Sequence, residues 1–319
     1  MNKETQMSRR DPLVTIGLMT YNYPIWGGRD LFLKAMDSLV SQDYDNKEIL
    51  ILDDCSQDEI VEDCLRYSQR YPFIRVFRNE KNVGGIENFK ELIGKIEGQL
   101  FLWACPDDVY DTTFISKCIE CFTKNSNTAI VATGLKIFHE NGEIHIHRYH
   151  DFLSHLPLRK IARNAFRGQD SRGKFVHYSP MIHSSMIKAE HIEKIFYEKM
   201  FLFAEELWFL NTLVYGKMSY IDELLYFRYA SSASHHEKDP ELDSKLSFRL
   251  SKYIGYLWDY LKYFWSKKDI TFKQKLTLMV PLTQAVRYRI LLRAWNLSKY
   301  TLLQCIRKLG FMKYDAQSE

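Results

Sequence analysis

The feature that most constrains this chain is an alternation. Four short apolar runs, "LVTIGLM", "KEILIL", "FIRVF" and "QLFLWAC", are separated by the stretches "GRDLFLKAMDSLVSQD", "DEIVEDCLRYSQRY" and "GIENFKELIGKIEG". The intervening stretches place apolar residues at helical spacing, as at Leu31, Ala35, Met36 and Leu39. Continuous apolar runs belong to strands covered on both faces, and strands alternating with helices build a mainly parallel sheet. The fold class expected is therefore α/β. Right-handed crossovers put the carboxyl ends of parallel strands on one edge, and open sheets of this kind take ligands there.

That edge is acidic. The first, second and fourth runs lead into "TYN", "DDCSQD" and "PDD", and the third into "NEKNVGG". No GxGxxG turn follows the first strand and no P-loop occurs, which argues against dinucleotide and P-loop chemistry. Asp107 and Asp108 are adjacent like charges at a strand end. A divalent cation removes that repulsion. Mg²⁺ or Mn²⁺ takes one or two carboxylates and completes its shell with phosphate and water. A nucleotide diphosphate ligand with a divalent cation is the ligand class that fits.

Further along, "FISKCIECFTKN" reads as a helix and "AIVATGLKIFHENGEIHIHRYH" as two strands joined at Asn141-Gly142. His145 and His147 alternate as exposed side chains of one strand face. "FLFAEELWFLNTLVYG" reads as a helix and "KMSYIDELLYFRY" as a strand-rich return. Six scattered cysteines do not form a disulfide framework, and Cys118-x-x-Cys121 has no partner pair at zinc spacing. A reducing cytosol suits them. No run reaches the ~18 apolar residues of a spanning helix. The division expected is a frayed start at 1–12, a catalytic domain at 13–236 and a basic, aromatic-rich helical region at 237–319.

Taken together, the motifs carry a family resemblance. "VTIGLMTYN", "EILILDDCSQD", "NEKNVGGIENF", "FLWACPDDVY" and "AEELWF" with "YIDELLYFRY" follow one another as in the family 2 glycosyltransferases with a GT-A fold. The resemblance implies an inverting transfer of a sugar from a nucleotide diphosphate sugar, UDP-sugars first with GDP- and dTDP-sugars open, to a hydroxyl of a glycan or lipid-linked acceptor in cell-surface polysaccharide synthesis. The alternative is a nucleotide-sugar-binding scaffold on a degenerate GT-A fold. By the same resemblance Thr20, Tyr21, Asn22, Asp53 and Asp54 hold base and ribose, with Asp54 reading an imide N–H. Asn82, Gly84 and Asn88 shape the loop near ribose and diphosphate. Asp107 binds the metal with Asp108 beside it. Glu206, or Glu205 by spacing from Gly216, is the general base. Arg228 and His235 line the diphosphate or acceptor side. The chain departs from the family at Cys105, which replaces the first acid of the DXD motif, at Met19 in place of a proline, and at a Glu base where Asp is usual.

The tail has a different character. Residues 241–319 hold 15 Lys+Arg against 6 Asp+Glu, net +9, while residues 1–240 hold 29 against 34, net −5. Tyr253, Tyr256, Leu257, Tyr260, Tyr263 and Phe264 form an aromatic stripe at helical spacing, and Pro281 breaks or kinks a second helix. No nucleic-acid motif accompanies the charge. Two partners suit the stripe: the catalytic domain or a second copy, and the anionic inner face of the cell membrane.

Overall fold

The computed structural model describes residues 11–148, 182–196, 204–230 and 261–276. Strands β1 (Val14–Thr20), β2 (Lys47–Asp53), β3 (Ile74–Arg78) and β4 (Leu100–Ala104) alternate with helices α1 (Gly28–Val40), α2 (Ile60–Arg70) and α3 (Gly85–Ile93). β1 pairs in parallel with β2 and β4, and β2 with β3. The apolar runs of β1, β2 and β4 are buried on both faces, with Ile16, Leu18, Ile49 to Ile51 and Leu102 fully inaccessible, while the edge strand β3 is only partly covered. Helix α3 stops at Ile93, where Gly94 caps it, short of the apolar spacing that continues to Ile96. Gly17 in the middle of β1 is required by packing. A Cβ there would stand 2.7 Å from the Phe101 ring and 2.8 Å from Leu92.

Beyond β4 come β5 (Val109–Tyr110), α4 (Phe114–Lys124), β6 (Thr128–His139), β7 (Ile144–His147), β8 (Ser185–Lys188), α5 (Ile192–Ile195), α6 (Ala204–Tyr215) and β9 (Lys217–Ala230). They extend the sheet to the order β3-β2-β1-β4-β8-β6-β9-β5, with β7 on β6. This half is mixed. β8 runs antiparallel between β4 and β6, β5 runs antiparallel to β9, and β6 pairs in parallel with β9 through an irregular register. The hairpin forms at Asn141-Gly142, with Gly142 at φ 84. Cys118 is buried on α4, so its CxxC is packing.

Of the tail, residues 261–276 are described, and Pro281 and the stripe before Leu261 lie outside. Tyr263 Oη donates to the Phe196 carbonyl at 2.7 Å, Tyr215 Oη donates to Asp269 at 2.8 Å, and Gln274 Nε2 donates to the Val214 carbonyl at 2.8 Å. Phe264 is buried. This part of the stripe packs on α6 and the segment before it. Trp265, Phe272 and Leu276 remain exposed, with Trp265 and Phe272 edge to face at 5.6 Å. Among the described residues no helix is long and apolar enough to cross a membrane.

Candidate active site

The parallel register sets Thr20, Asp53 and Arg78 at one level of the sheet edge. Asp53 is fully buried. Its carboxylate accepts hydrogen bonds from Thr20 Oγ1 at 3.0 Å, from the Ser56 amide at 3.0 Å and from the Ser56 hydroxyl, with Arg78 Nε 3.4 Å away. A buried carboxylate must be compensated in this way. Both chain exits are sharp. Asn22 (φ 58) and Cys55 (φ 63) adopt the left-handed region just past β1 and β2, a conformation that clusters at functional sites. The two loops are stitched together: the Asn22 amide donates to Ser56 Oγ at 2.8 Å, and the Gln57 amide to Asn22 Oδ1 at 2.7 Å.

Asp54 organises the next loop. Its carboxylate accepts from Asn79 Nδ2 at 2.9 Å, the Val83 amide at 2.8 Å and the Gly84 amide at 2.9 Å. Gly84 supplies the φ of 83 that lets the chain turn into α3. Asn88 is buried and braces the same loop, accepting from Asn79 Nδ2 at 2.9 Å and donating to the Leu52 carbonyl at 3.2 Å. Asn82 is exposed at the loop tip.

A second buried acid secures the 21–26 loop from behind. Asp63 on α2 receives Arg29 Nε at 2.7 Å and Nη2 at 2.8 Å, together with Arg66 and the Tyr23 hydroxyl. Burial pushes its carboxyl upward, but the bonds from Arg29, Tyr23 and Arg66 outweigh it and hold the pKa down at about 2.

After β4 the acids converge. Asp108 is buried, accepting from the Tyr226 hydroxyl and from the Tyr229 amide at 3.2 Å, so β9 fixes its orientation. Asp107 is half-buried. Burial and the Asp108 charge drive its carboxyl well above the ordinary range, while Arg228 and His183 pull it back. Cys105, Asp107 and Asp108 each offer one ligand atom, all within 4.8 Å of one another. A cation fits this set, because it would offset the two costs that raise Asp107, burial and like charge.

Helix α6 carries Glu205 and Glu206 in its first turn, and their side chains lie outside the described residues, as does His235. The helix itself is anchored by rings. Trp208 packs at centroid distances of 5.4 Å on Trp103, 5.5 Å on Phe89 and 5.1 Å on Phe196, and Phe89 sits 4.3 Å from Trp103. Trp103 stands two residues before Cys105, and Trp208 two after Glu206. The acid pair and the acidic edge therefore share one aromatic joint.

A cavity of about 200 Å³ opens beside Asp107, walled by Tyr21, Asn22, Trp26, Pro106 and Tyr229. Trp26 and Tyr229 lie 5.6 Å apart, and Tyr229 stacks on Phe138 at 5.0 Å.

The structure thus gathers Thr20, Tyr21, Asn22, Asp53, Asp54, Gly84, Asn88, Asp107, Asp108 and Arg228 at the strand ends, where Asp53, Asp54 and Asn88 also bond to the loops around them. Sequence reading missed Ser56, Arg78, Asn79, Tyr226, Tyr229, Trp26 and His183. Arg78 was within reach, since it ends the third strand on the same edge. Nothing local marks His183, which arrives from β8's approach to β4.

The chain is similar in sequence and fold to known proteins. A family model described as glycosyl transferase family 2 matches residues 15–196. An uncharacterized glycosyltransferase of Haemophilus influenzae is 23% identical over 237 residues, 72% of this chain and 70% of the relative. One of Rickettsia felis is 30% identical over 154 residues, 47% of this chain but only 24% of the relative's length. Among solved structures, S. aureus TarS 1-349 superposes with a TM-score of 0.60 at 14% identity, covering 86% of this chain and 71% of that one. The same fragment in complex with UDP-GlcNAc gives 0.58 at 15% identity, covering 85% and 71%. The fold is therefore GT-A, and the chain belongs to glycosyl transferase family 2 and is a glycosyltransferase.

Proposed function

We propose that this glycosyltransferase moves a sugar from a UDP-sugar to a hydroxyl of a glycan or lipid-linked acceptor, with inversion at the anomeric carbon. The observation that carries the reading is the cavity at the strand ends, where Tyr21 and Asn22 from the β1 exit meet Asp107 from the β4 exit. A nucleotide has its base and ribose at the first and its diphosphate at the second. TarS 1-349 in complex with UDP-GlcNAc and with UDP supports the uridine choice, as a likeness of fold. Thr20, Asp53 and Asp54 serve through the loops they order, and Asn82 and Gly84 close the ribose side.

Asp107 would hold a divalent cation, Mg²⁺ or Mn²⁺ in the family's usual choice, with Asp108 and Cys105 beside it. Bound there, a cation stabilises charge growing on the leaving diphosphate. Arg228 adds positive charge to the same side, consistent with its pull on Asp107. Glu206, with Glu205 as its rival, accepts the proton of the attacking hydroxyl so that the oxygen enters opposite the leaving diphosphate. Adjacent helical residues point ~100° apart, so one of the two serves. The aromatic joint of Trp103 and Trp208 supports this pairing of helix and edge.

A role in cell-surface polysaccharide synthesis at the inner face of the membrane fits the basic tail, where Trp265 and Phe272 are exposed near Lys267, Lys268 and Lys275. The test is hydrolysis of UDP-sugars with Mn²⁺ by the full chain and by Asp107→Ala, expected to lose about 10²–10³-fold. Turnover indifferent to that change refutes the site. Thermal stabilisation by GDP but not by UDP refutes the donor.

A further inference from the structure

We propose that Cys105 is itself a ligand to the cation of the donor site. This enzyme would then take a borderline-soft ion, Mn²⁺, Co²⁺ or Zn²⁺, in preference to Mg²⁺. The inference rests on the metal-dependent reading above.

Cys105 Sγ stands within 4.8 Å of ligand oxygens of both Asp107 and Asp108. Zinc–sulfur and zinc–oxygen bonds of about 2.3 and 2.1 Å set tetrahedral ligand atoms about 3.6 Å apart, so side-chain adjustments of about 1 Å close the set on one ion. Asp108 is already oriented by Tyr226 and Tyr229.

The sulfur has a ring nitrogen within hydrogen-bond distance. His183 Nδ1 lies 3.3 Å from Cys105 Sγ and 3.1 Å from the Trp103 carbonyl oxygen. The carbonyl can only accept, so it fixes a proton on Nδ1, and that N–H is shared with the sulfur. Hydrogen bonds from groups outside the ligand set orient the ligands themselves, and this shared N–H would do so for the sulfur. The Trp103 ring packs edge-on to the His183 ring at 4.6 Å, which holds the imidazole in place. His183 is a positioning residue in this scheme.

Ligand softness then sets the ion. Mg²⁺ demands oxygen donors, whereas a thiolate favours the later first-row cations. On binding, the Cys105 S–H bond breaks, its proton leaves to solvent and the sulfur's electron pair forms the metal–sulfur bond. No electron is gained or lost.

The test uses the full chain, stripped of metal, with UDP present and Co²⁺ as the probe. The wild-type protein and Cys55→Ser are expected to show a near-ultraviolet thiolate-to-cobalt charge-transfer band that Cys105→Ser and Cys105→Asp lack. Mg²⁺ should displace Co²⁺ at least about tenfold more readily from Cys105→Asp than from the wild type. If the Cys105 variants do not fold, a band that persists in Cys55→Ser, Cys121→Ser and Cys305→Ser supports the assignment, and its loss in any of these overturns it. Cobalt binding by calorimetry without the band overturns sulfur ligation and leaves the metal-dependent site standing. A band that survives in Cys105→Ser also overturns it. Absence of any cobalt binding, with UDP affinity independent of divalent ions, overturns both readings.

Discussion

Asp63 is the place to test whether the site's outer supports are energetic or decorative. Its side chain is 2% exposed, while Arg29 and Arg66 are 49% and 58% exposed. The arginines therefore return to water if the acid is neutralised, and the cost lies mainly in the acid's own lost interactions. The carboxyl is held at about 2 against an ordinary value near 3.9. That difference corresponds to about 2–3 kcal/mol of stability at pH 7. Because the folded value is the lower one, the contribution is complete above the unfolded pKa near 4 and disappears as pH falls through about 2. At pH 3 about half remains. Asp63→Asn should thus be about 2–3 kcal/mol less stable than the wild type in urea at pH 7, and about 1 kcal/mol less stable at pH 3. The Tyr23 amide also donates to Asp58 at 2.6 Å, so the loop keeps one tether and UDP affinity should weaken severalfold rather than vanish. Equal stability at pH 7, or a deficit that does not shrink in acid, refutes the reasoning.

Glu206→Gln should lower sugar transfer by about 10²–10⁴-fold with UDP binding intact, measured by turnover and calorimetry. The opposite pattern, in which Glu205→Gln carries the loss, reverses the assignment. Gly17→Ala should cost about 1–3 kcal/mol in a thermal melt, since its Cβ meets the Phe101 ring and Leu92 at under 3 Å. The full chain should sediment with anionic vesicles at low salt and release at high salt, and a chain ending near residue 240 should not. Because residues 261–276 pack on α6, that shortened chain should also melt earlier. Equal vesicle binding by both refutes attachment through the tail.

Legibility followed burial. β1, β2 and β4 are covered on both faces, so "VTIGLMT", "KEILILD" and "LFLWA" are unbroken apolar runs with one reading, and the acids behind them fall on one edge by topology alone. The far half resists this. β8 is four residues long and sits antiparallel between β4 and β6, so its place depends on partners more than 45 positions away. Acids were recognised as site residues, but their orientation was not. Asp53 and Asp54 turn into the protein to hold Ser56, Arg78 and the 79–84 loop, because hydroxyls, amides and a guanidinium lie within reach there. A motif records the residue type at the strand end and not the direction its carboxylate takes. The substitution at Cys105 was visible at once, but its neighbour His183 was not, since 78 residues separate them.

The aromatic joint has a consequence for how the molecule comes into being. Phe89 and Trp208 are 119 positions apart, and Trp103, Phe196 and His183 come from further separate stretches. Contacts of such separation are closed only after the intervening chain has been gathered in, against loop entropy. Strands β1, β2 and β3 pair across 33 and 25 positions, and β4 joins β1 across 86, all shorter than the span from Phe89 to Trp208. The β1–β3 side of the sheet is thus expected to form first, and the side that carries α6, with the proposed base, to be completed last. A nascent or damaged chain would hold the sheet proposed to bind the nucleotide before it holds the helix proposed to carry the base.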